Sequence, residues 1–215
     1  MDILLNNAAC YRHPDEVEFD YLRQIVTTNY VGTKLLTENL LPLMSEDSRM
    51  IFISSHLSDF HSGSYFPGMT QDHLDALMKA YIQSIEAKDG TFATELDLPD
   101  CAYSVTKKAI NCYVRLLQED VANSVEYAKR GISVNAICPG TLHSKMRNLP
   151  PEETISEEES ARRITDLATL IEMPKGQVFW HDGTLMANRK SIRDAVAETV
   201  GYSPWARKRF LSDPH

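Results

Sequence analysis

The sequence predicts an α/β fold built on a parallel sheet, and three observations carry that expectation. Short apolar runs of strand length alternate with longer stretches whose apolar residues recur at helical spacing. The run Met50-Ile51-Phe52-Ile53 is apolar without interruption, as in a strand covered on both faces. Turn-forming residues close the runs at Asn6-Asn7, Ser54-Ser55 and Pro139-Gly140. Strands separated by long helices imply βαβ units, whose strands lie side by side and point the same way.

Ile3-Leu4-Leu5 reads as a buried strand stopped by Asn6-Asn7. Residues 16–44 turn helical: Val17, Tyr21, Ile25 and Thr28 are in phase, and Leu35, Leu36, Leu40 and Leu43 continue the pattern. After the strand at 50–53 and a glycine-containing loop, Thr70 can cap a second helix. Its stripe is Leu74, Leu77, Met78, Tyr81, Ile82 and Ile85, and Gly90 stops it. A third helix is expected from Ala102 to Lys129, ended by Arg130-Gly131, with the next strand at 132–137. Pro150-Pro151-Glu152-Glu153 leads into a fourth helix, where Ser156 and Glu159 stand at capping-box spacing, and which ends before Pro174. Residues 177–180 supply a last short strand. Residues 183–215 are polar and mixed, a loop plus a helical tail around 192–200. The chain has no internal repeat.

A chain of 215 residues is long enough for one domain with a sizeable core and a tail. Its net charge of −8 and pI near 5.4 give no pull toward nucleic acid or acidic lipid, and Arg207-Lys208-Arg209 is too short to change that. No apolar run approaches the roughly 20 residues of a membrane helix. Cys10, Cys101, Cys112 and Cys138 lack CxxC spacing and no signal peptide is legible, so reduced thiols and a cytoplasmic, soluble protein are expected. His56 and His61, with Asp59 between them, read as loop residues, and no metal site is expected. Trp180 and Trp205 read as packing residues.

Tyr103-Ser104-Val105-Thr106-Lys107 opens the third helix, where residues four apart share a face. Tyr103 and Lys107 therefore point the same way, toward the carboxyl end of the sheet. A lysine ammonium close to a phenol favours the phenolate and lowers a pKa that is normally about 10. Such a tyrosine can serve as general acid to a carbonyl oxygen. Ser55 ends a neighbouring strand at the same edge, and its hydroxyl could hold that oxygen. Alone, a Tyr-x-x-x-Lys spacing is weak evidence, since a solvated helix face produces it too. Here it is one of five signals in order: NNAA ends a strand, TTNYVGT lies within a helix, ISS ends a strand, YSVTK opens a helix and NAICPG closes a strand.

That series resembles the short-chain dehydrogenase/reductase family, and within it the monomeric carbonyl reductases. The stretch TNYVGTKLLTENLLPLMSEDSRMIFISS carries the likeness, as does the GQVF strand. So does the distance from Ser55 to Tyr103, which is 48 residues. Carbonyl reductases insert a helix there, and residues 70–90 fit the insertion. The resemblance implies a doubly wound, Rossmann-like domain over residues 1–183, with 184–215 an unmatched tail. It also implies NADPH-dependent reduction of aldehyde, ketone or quinone carbonyls. By that likeness Asn29 supports a water-linked proton relay, Ser55 polarises the substrate carbonyl and Tyr103 is the acid. Lys107 lowers its pKa and binds the nicotinamide ribose. Asn7 meets the cofactor near its adenosine half, and Leu142 and Ser144 contact the nicotinamide carboxamide.

Three departures accompany the likeness. Ala9 stands where the family usually has glycine, and Ser144 where it usually has threonine. No glycine-rich fingerprint precedes Asn6, so the pyrophosphate-binding helix terminus and the residue that separates NADP from NAD have no counterpart. Roughly eighty residues of the family's fold are expected to be absent, by the length of βαβ units. The expectation is an N-terminally truncated sheet, started at an internal methionine, whose first strand is an exposed edge prone to self-association. A carbonyl reductase-like enzyme impaired by that loss is one functional expectation. A non-catalytic isoform or fragment that binds partners through the open edge is the alternative.

Overall fold

Four strands form one sheet in chain order, β1-β2-β3-β4, and every neighbouring pair is parallel. The computed structural model describes residues 1–11, 19–59, 69–87, 102–142, 154–170, 174–180 and 183–185. The strands are β1 (Ile3–Asn6), β2 (Arg49–Ile53), β3 (Ser133–Ile137) and β4 (Val178–Phe179). These are the four strands expected, within one or two residues at each end. Their register sets Leu4 beside Met50, Phe52 beside Ala136, and Ile137 beside Phe179.

Side chains alternate across the sheet, so each face has its own core. On one face Leu4, Met50, Phe52, Val134, Ala136 and Val178 pack against α1 (Phe19–Val26), α3 (Gln71–Glu86) and α4 (Ala102–Asn123). On the other, Ile51, Ile53, Ile137 and Phe179 pack against Ile164 and Leu167 of α5 (Glu157–Ala168). Helices on both faces make the sheet doubly wound. Arg49 fastens the second layer from below: its guanidinium donates to the carbonyls of Ala168 and Leu170 at the C-terminal end of α5, where the helix dipole favours a cation.

Two helix starts follow from local chemistry. The Thr70 hydroxyl accepts from the His73 amide at 3.3 Å and opens α3, and Ser156 accepts from Glu159 at 3.1 Å and opens α5. Leu74, Met78, Tyr81 and Ile85 are buried, so the expected stripe of α3 is its packing face. The helix ends at Glu86, ahead of Gly90, which lies outside the described residues. Also outside them are Val17, His61, Cys101, residues 150–153, Ser144, Trp205, Arg207-Lys208-Arg209 and the expected helical tail near 192–200.

Three expectations are corrected. α4 stops at Asn123 rather than Lys129, because the Ser124 hydroxyl accepts from the amides of Glu126 and Tyr127 (3.2 and 3.3 Å) and draws them from the helical ladder. A short 3₁₀ turn and Gly131, at φ +69°, then lead into β3. The second correction concerns the first helical stretch. α1 gives way to a π-turn at Thr27–Gly32 before α2 (Thr33–Leu40), and the wider turn rotates α2 out of phase with α1. Leu35, Leu36 and Leu43 consequently lie 50 to 64% exposed, and the buried position of α2 is Thr37. Third, β1 is buried on one face only. Leu4 and Asn6 are covered, while Ile3 and Leu5 are each 45% exposed on the face where α5 reaches only the later strands.

Thr37 ties α2 to β1. Its hydroxyl accepts from Asn6 Nδ2 at 3.2 Å and donates to the Thr33 carbonyl at 2.8 Å. Thr37→Val keeps the shape and leaves the Asn6 amide without that acceptor, which costs about 1–3 kcal/mol. Urea unfolding is expected to show that loss at an unchanged m-value, and Thr37→Ser is expected to restore most of it.

Candidate active site

The carboxyl ends of the parallel strands collect the sequence-predicted residues at one edge, because every strand points that way. The start of α4 faces this edge. Tyr103 is half-buried, and the Lys107 ammonium lies 5.4 Å from the centre of its ring. Lys107 itself is buried and donates to the Ile53 carbonyl, the last of β2, at 2.6 Å. Burial pushes its pKa down to about 8, offset in part by the neighbouring Cys138. Tyr11, just past β1, packs edge-on against the Tyr103 ring with centroids 4.9 Å apart, and its carbonyl accepts from the Tyr21 hydroxyl at 3.3 Å.

Asn29 sits inside the π-turn and is buried. Its Oδ1 accepts from the Cys10 amide at 2.7 Å, while Nδ2 donates to the Cys10 carbonyl at 2.9 Å and to Thr106 Oγ1 at 3.2 Å. Thr106 Oγ1 in turn donates to the Tyr103 carbonyl at 2.7 Å. The asparagine thus clamps the segment after β1 to the first turn of α4. α3 braces the same π-turn from behind. Asp75 of α3 accepts from the Tyr30 hydroxyl at 2.9 Å and pairs with Lys34. Burial, with Asp75 second, pushes the Tyr30 phenol up, and burial does the same to Tyr113.

Beyond β2 the chain enters a short turn at His56–Asp59. Ser54 donates to Asn111 Oδ1 at 2.5 Å, and Asn111 Nδ2 donates to Ser58 Oγ at 2.9 Å. Ser58 closes the turn, its hydroxyl and amide both donating to the Ser55 carbonyl at 2.7 and 3.1 Å. Ser55 Oγ accepts from the Leu57 amide at 3.2 Å, and its O–H meets no acceptor among the described residues. The two serines of ISS therefore have different partners: Ser54 is held by α4, and Ser55 keeps a donor.

The remaining expected residues are less gathered. Asn7 is exposed just past β1, and Ala9 is half-buried. Leu142 forms a parallel bridge with Ile155, so the segment after β3 returns toward the start of α5. Ser144 falls outside the described residues. Reading the sequence missed Tyr11, Thr106, Ser54, Ser58 and Asn111. Only Thr106 and Ser54 carried a signal, lying inside quoted motifs. His56 begins the turn after β2, and no helix among the described residues is long and apolar enough to cross a membrane.

With this geometry in place, similarity to known proteins is informative. The chain matches no family model. It is 30% identical over 193 residues to Carbonyl reductase [NADPH] 1 of Mus musculus, and 31% identical over 191 residues to the Oryctolagus cuniculus protein of that name. Each alignment covers 82% of this chain and 66% of the relative, so the chain spans just under two thirds of the curated relatives' length. The chain belongs to the short-chain dehydrogenase/reductase family. Solved structures share its fold. Salutaridine reductase from Papaver somniferum superposes with a TM-score of 0.66 at 20% identity, covering 84% of this chain and 72% of that one. NADPH-bound carbonyl reductase from chicken fatty liver gives 0.57 at 21%, covering 87% and 66%.

The buried Lys107 at the sheet edge makes stability depend on pH. Its pKa is about 8 in the fold against 10.5 in the free side chain. Below pH 8 both states are protonated and the buried charge opposes folding in full. Between pH 8 and 10.5 the unfolded chain holds more protons, so Lys107's contribution to stability rises with pH. Lys107→Met is expected to gain most relative to wild type at pH 7 and to lose that advantage by pH 10.5, a change of order 3 kcal/mol. Urea unfolding of both proteins across this range checks it; parallel pH curves would refute the buried charge.

Proposed function

We propose that the chain carries the proton-transfer half of an NADPH-dependent carbonyl reductase acting on aldehydes, ketones or quinones. The observation that carries the reading is the meeting of Tyr103, Lys107 and Ser55 at one sheet edge, with a donor left over on both Lys107 and Ser55 among the described residues. In this reading the Ser55 hydroxyl donates to the substrate carbonyl oxygen and holds it near Tyr103. Tyr103 delivers the proton to that oxygen as it gains negative charge. The Lys107 ammonium beside the ring stabilises the phenolate left behind. The cofactor would supply the hydride.

The residues present fit the nicotinamide end of such a cofactor. An ammonium has three donors, and the Ile53 carbonyl is Lys107's one hydrogen-bond acceptor among the described residues. Two remain for the vicinal hydroxyls of a ribose. Asn7 lies just past β1 at the same edge and would meet the adenosine side, and Leu142 and Ser144 belong to the segment that would flank the carboxamide. The Asn29 side chain is used by Cys10 and Thr106, so a water relay at this residue would run from its backbone carbonyl.

The 215 residues contain no glycine-rich turn for a pyrophosphate. Charge-assisted hydrogen bonds contribute roughly 1.5–3 kcal/mol each, so lacking three weakens binding by about 10³-fold or more. We therefore expect these residues to bind NADPH weakly and turn over slowly. The exposed Ile3 and Leu5 on β1 favour a second reading, a non-catalytic interaction protein that pairs through this edge. Both readings are tested by NADPH oxidation with a quinone at millimolar cofactor, beside calorimetry and sedimentation. We expect slow turnover that Tyr103→Phe lowers by about 10²–10⁴-fold. Micromolar NADPH affinity would overturn the weak-binding argument. No turnover together with stable self-association would favour the interaction reading.

A further inference from the structure

The proposed acid and the proposed carbonyl-holding serine lie on different elements, 48 residues apart in the chain. The acid rides on α4, and the serine lies at the turn after β2. Hydrogen bonding between these elements must keep their distance fixed, because a misplacement of about 1 Å at a reacting centre can cost about 10²-fold in rate. α4 grips the end of β2 at two successive turns. Lys107 holds the Ile53 carbonyl, and Asn111, four residues on and on the same face, holds Ser54 and Ser58.

We propose that Asn111 is a positioning residue: through Ser54 and Ser58 it holds the turn that aims the Ser55 hydroxyl at the substrate carbonyl. The proposal rests on the reading of Ser55 given above. Asn111 is fully buried, and each end of its amide is used on a residue next to or near Ser55. Its oxygen accepts from the residue before Ser55. Its nitrogen donates to Ser58, whose hydroxyl bonds the Ser55 carbonyl at 2.7 Å. Ser55 is thus fixed from both sides, by Ser54 on the strand and by Ser58 across the turn, while its own O–H stays uncommitted among the described residues. A hydrophobic residue at 111 would leave Ser54 and Ser58 without these partners. The polarity of this site therefore serves geometry more than burial.

The test compares wild type with Asn111→Leu, which keeps the branched side-chain skeleton, with bulkier methyl ends, and removes the hydrogen bonds to Ser54 and Ser58. Amide hydrogen exchange reads the turn directly, because the Leu57 and Ser58 amides donate to Ser55 Oγ and to the Ser55 carbonyl. In Asn111→Leu we expect exchange at these two amides to accelerate by about tenfold or more, with protection in the middle of α4 unchanged. In the turnover assay kcat is expected to fall by about 10- to 100-fold, with KM for NADPH within about threefold of wild type. Unchanged protection at Leu57 and Ser58 would overturn the proposal, whatever the activity. So would a loss of protection spread evenly over α4. If wild type shows no turnover, the enzyme reading fails, and the exchange result still decides whether Asn111 holds the turn. Should Asn111→Leu fail to fold, Ser58→Ala cuts the same chain of bonds at its outer link and is read the same way.

Discussion

The hydrogen bond from the buried Lys107 ammonium to the Ile53 carbonyl is the contact on which the rest of the site depends. In a parallel sheet the last carbonyls of the strands run out of partners at one edge, and something must satisfy them. Here a charged side chain from the neighbouring helix does so. That choice fixes α4 against β2, places a cation beside the Tyr103 ring and keeps the cation dry enough that its affinity for the proton falls. A neutral donor could have closed the strand. It would not have brought positive charge to the phenol.

Around that contact the polar core is arranged as a set of clamps. Asn29 joins the Cys10 backbone to Thr106, and Thr106 joins the clamp to the Tyr103 carbonyl. Asn111 does the corresponding work on the serine side. The π-turn gives Asn29 its place, and α3 stiffens that turn through Asp75, which holds the residue immediately after Asn29 and Lys34 one turn on. Buried polar groups that are satisfied in this way select one arrangement of the surrounding elements, since each alternative leaves an unpaired group. α3 is therefore coupled to the site through the π-turn.

Much of this is legible in the sequence where the signal is local. Four strands and their common direction follow from apolar runs and the long helices between them. Thr70 and Ser156 are legible as caps because a cap lies within three residues of its partner. The Tyr103–Lys107 pair needs only the helical repeat. The features that escape are tertiary. The extra residue of the π-turn is invisible to a 3.6-residue period, so the period puts Leu35 and Leu36 on the wrong side of α2 and passes over Thr37. Asn111 looks like any polar residue on a helix until β2 is laid across it. Ile3 and Leu5 read as buried because an apolar run says nothing of which face a later helix will reach.

The function proposed above comes down to one chemistry, direct transfer of hydride to a carbonyl carbon with a proton from Tyr103. The measurement that tests this most directly is the fate of a label. The chain is mixed at high concentration with millimolar NADPH deuterated at the transferring position and with a ketone or quinone, and the product is read by mass spectrometry. The account predicts product alcohol or hydroquinone formed at the expense of NADPH, with deuterium on the carbinol carbon when the substrate is a ketone, and near-background labelling with Tyr103→Phe. Absence of labelled alcohol from the wild-type chain, or equal labelling by the variant, would contradict it.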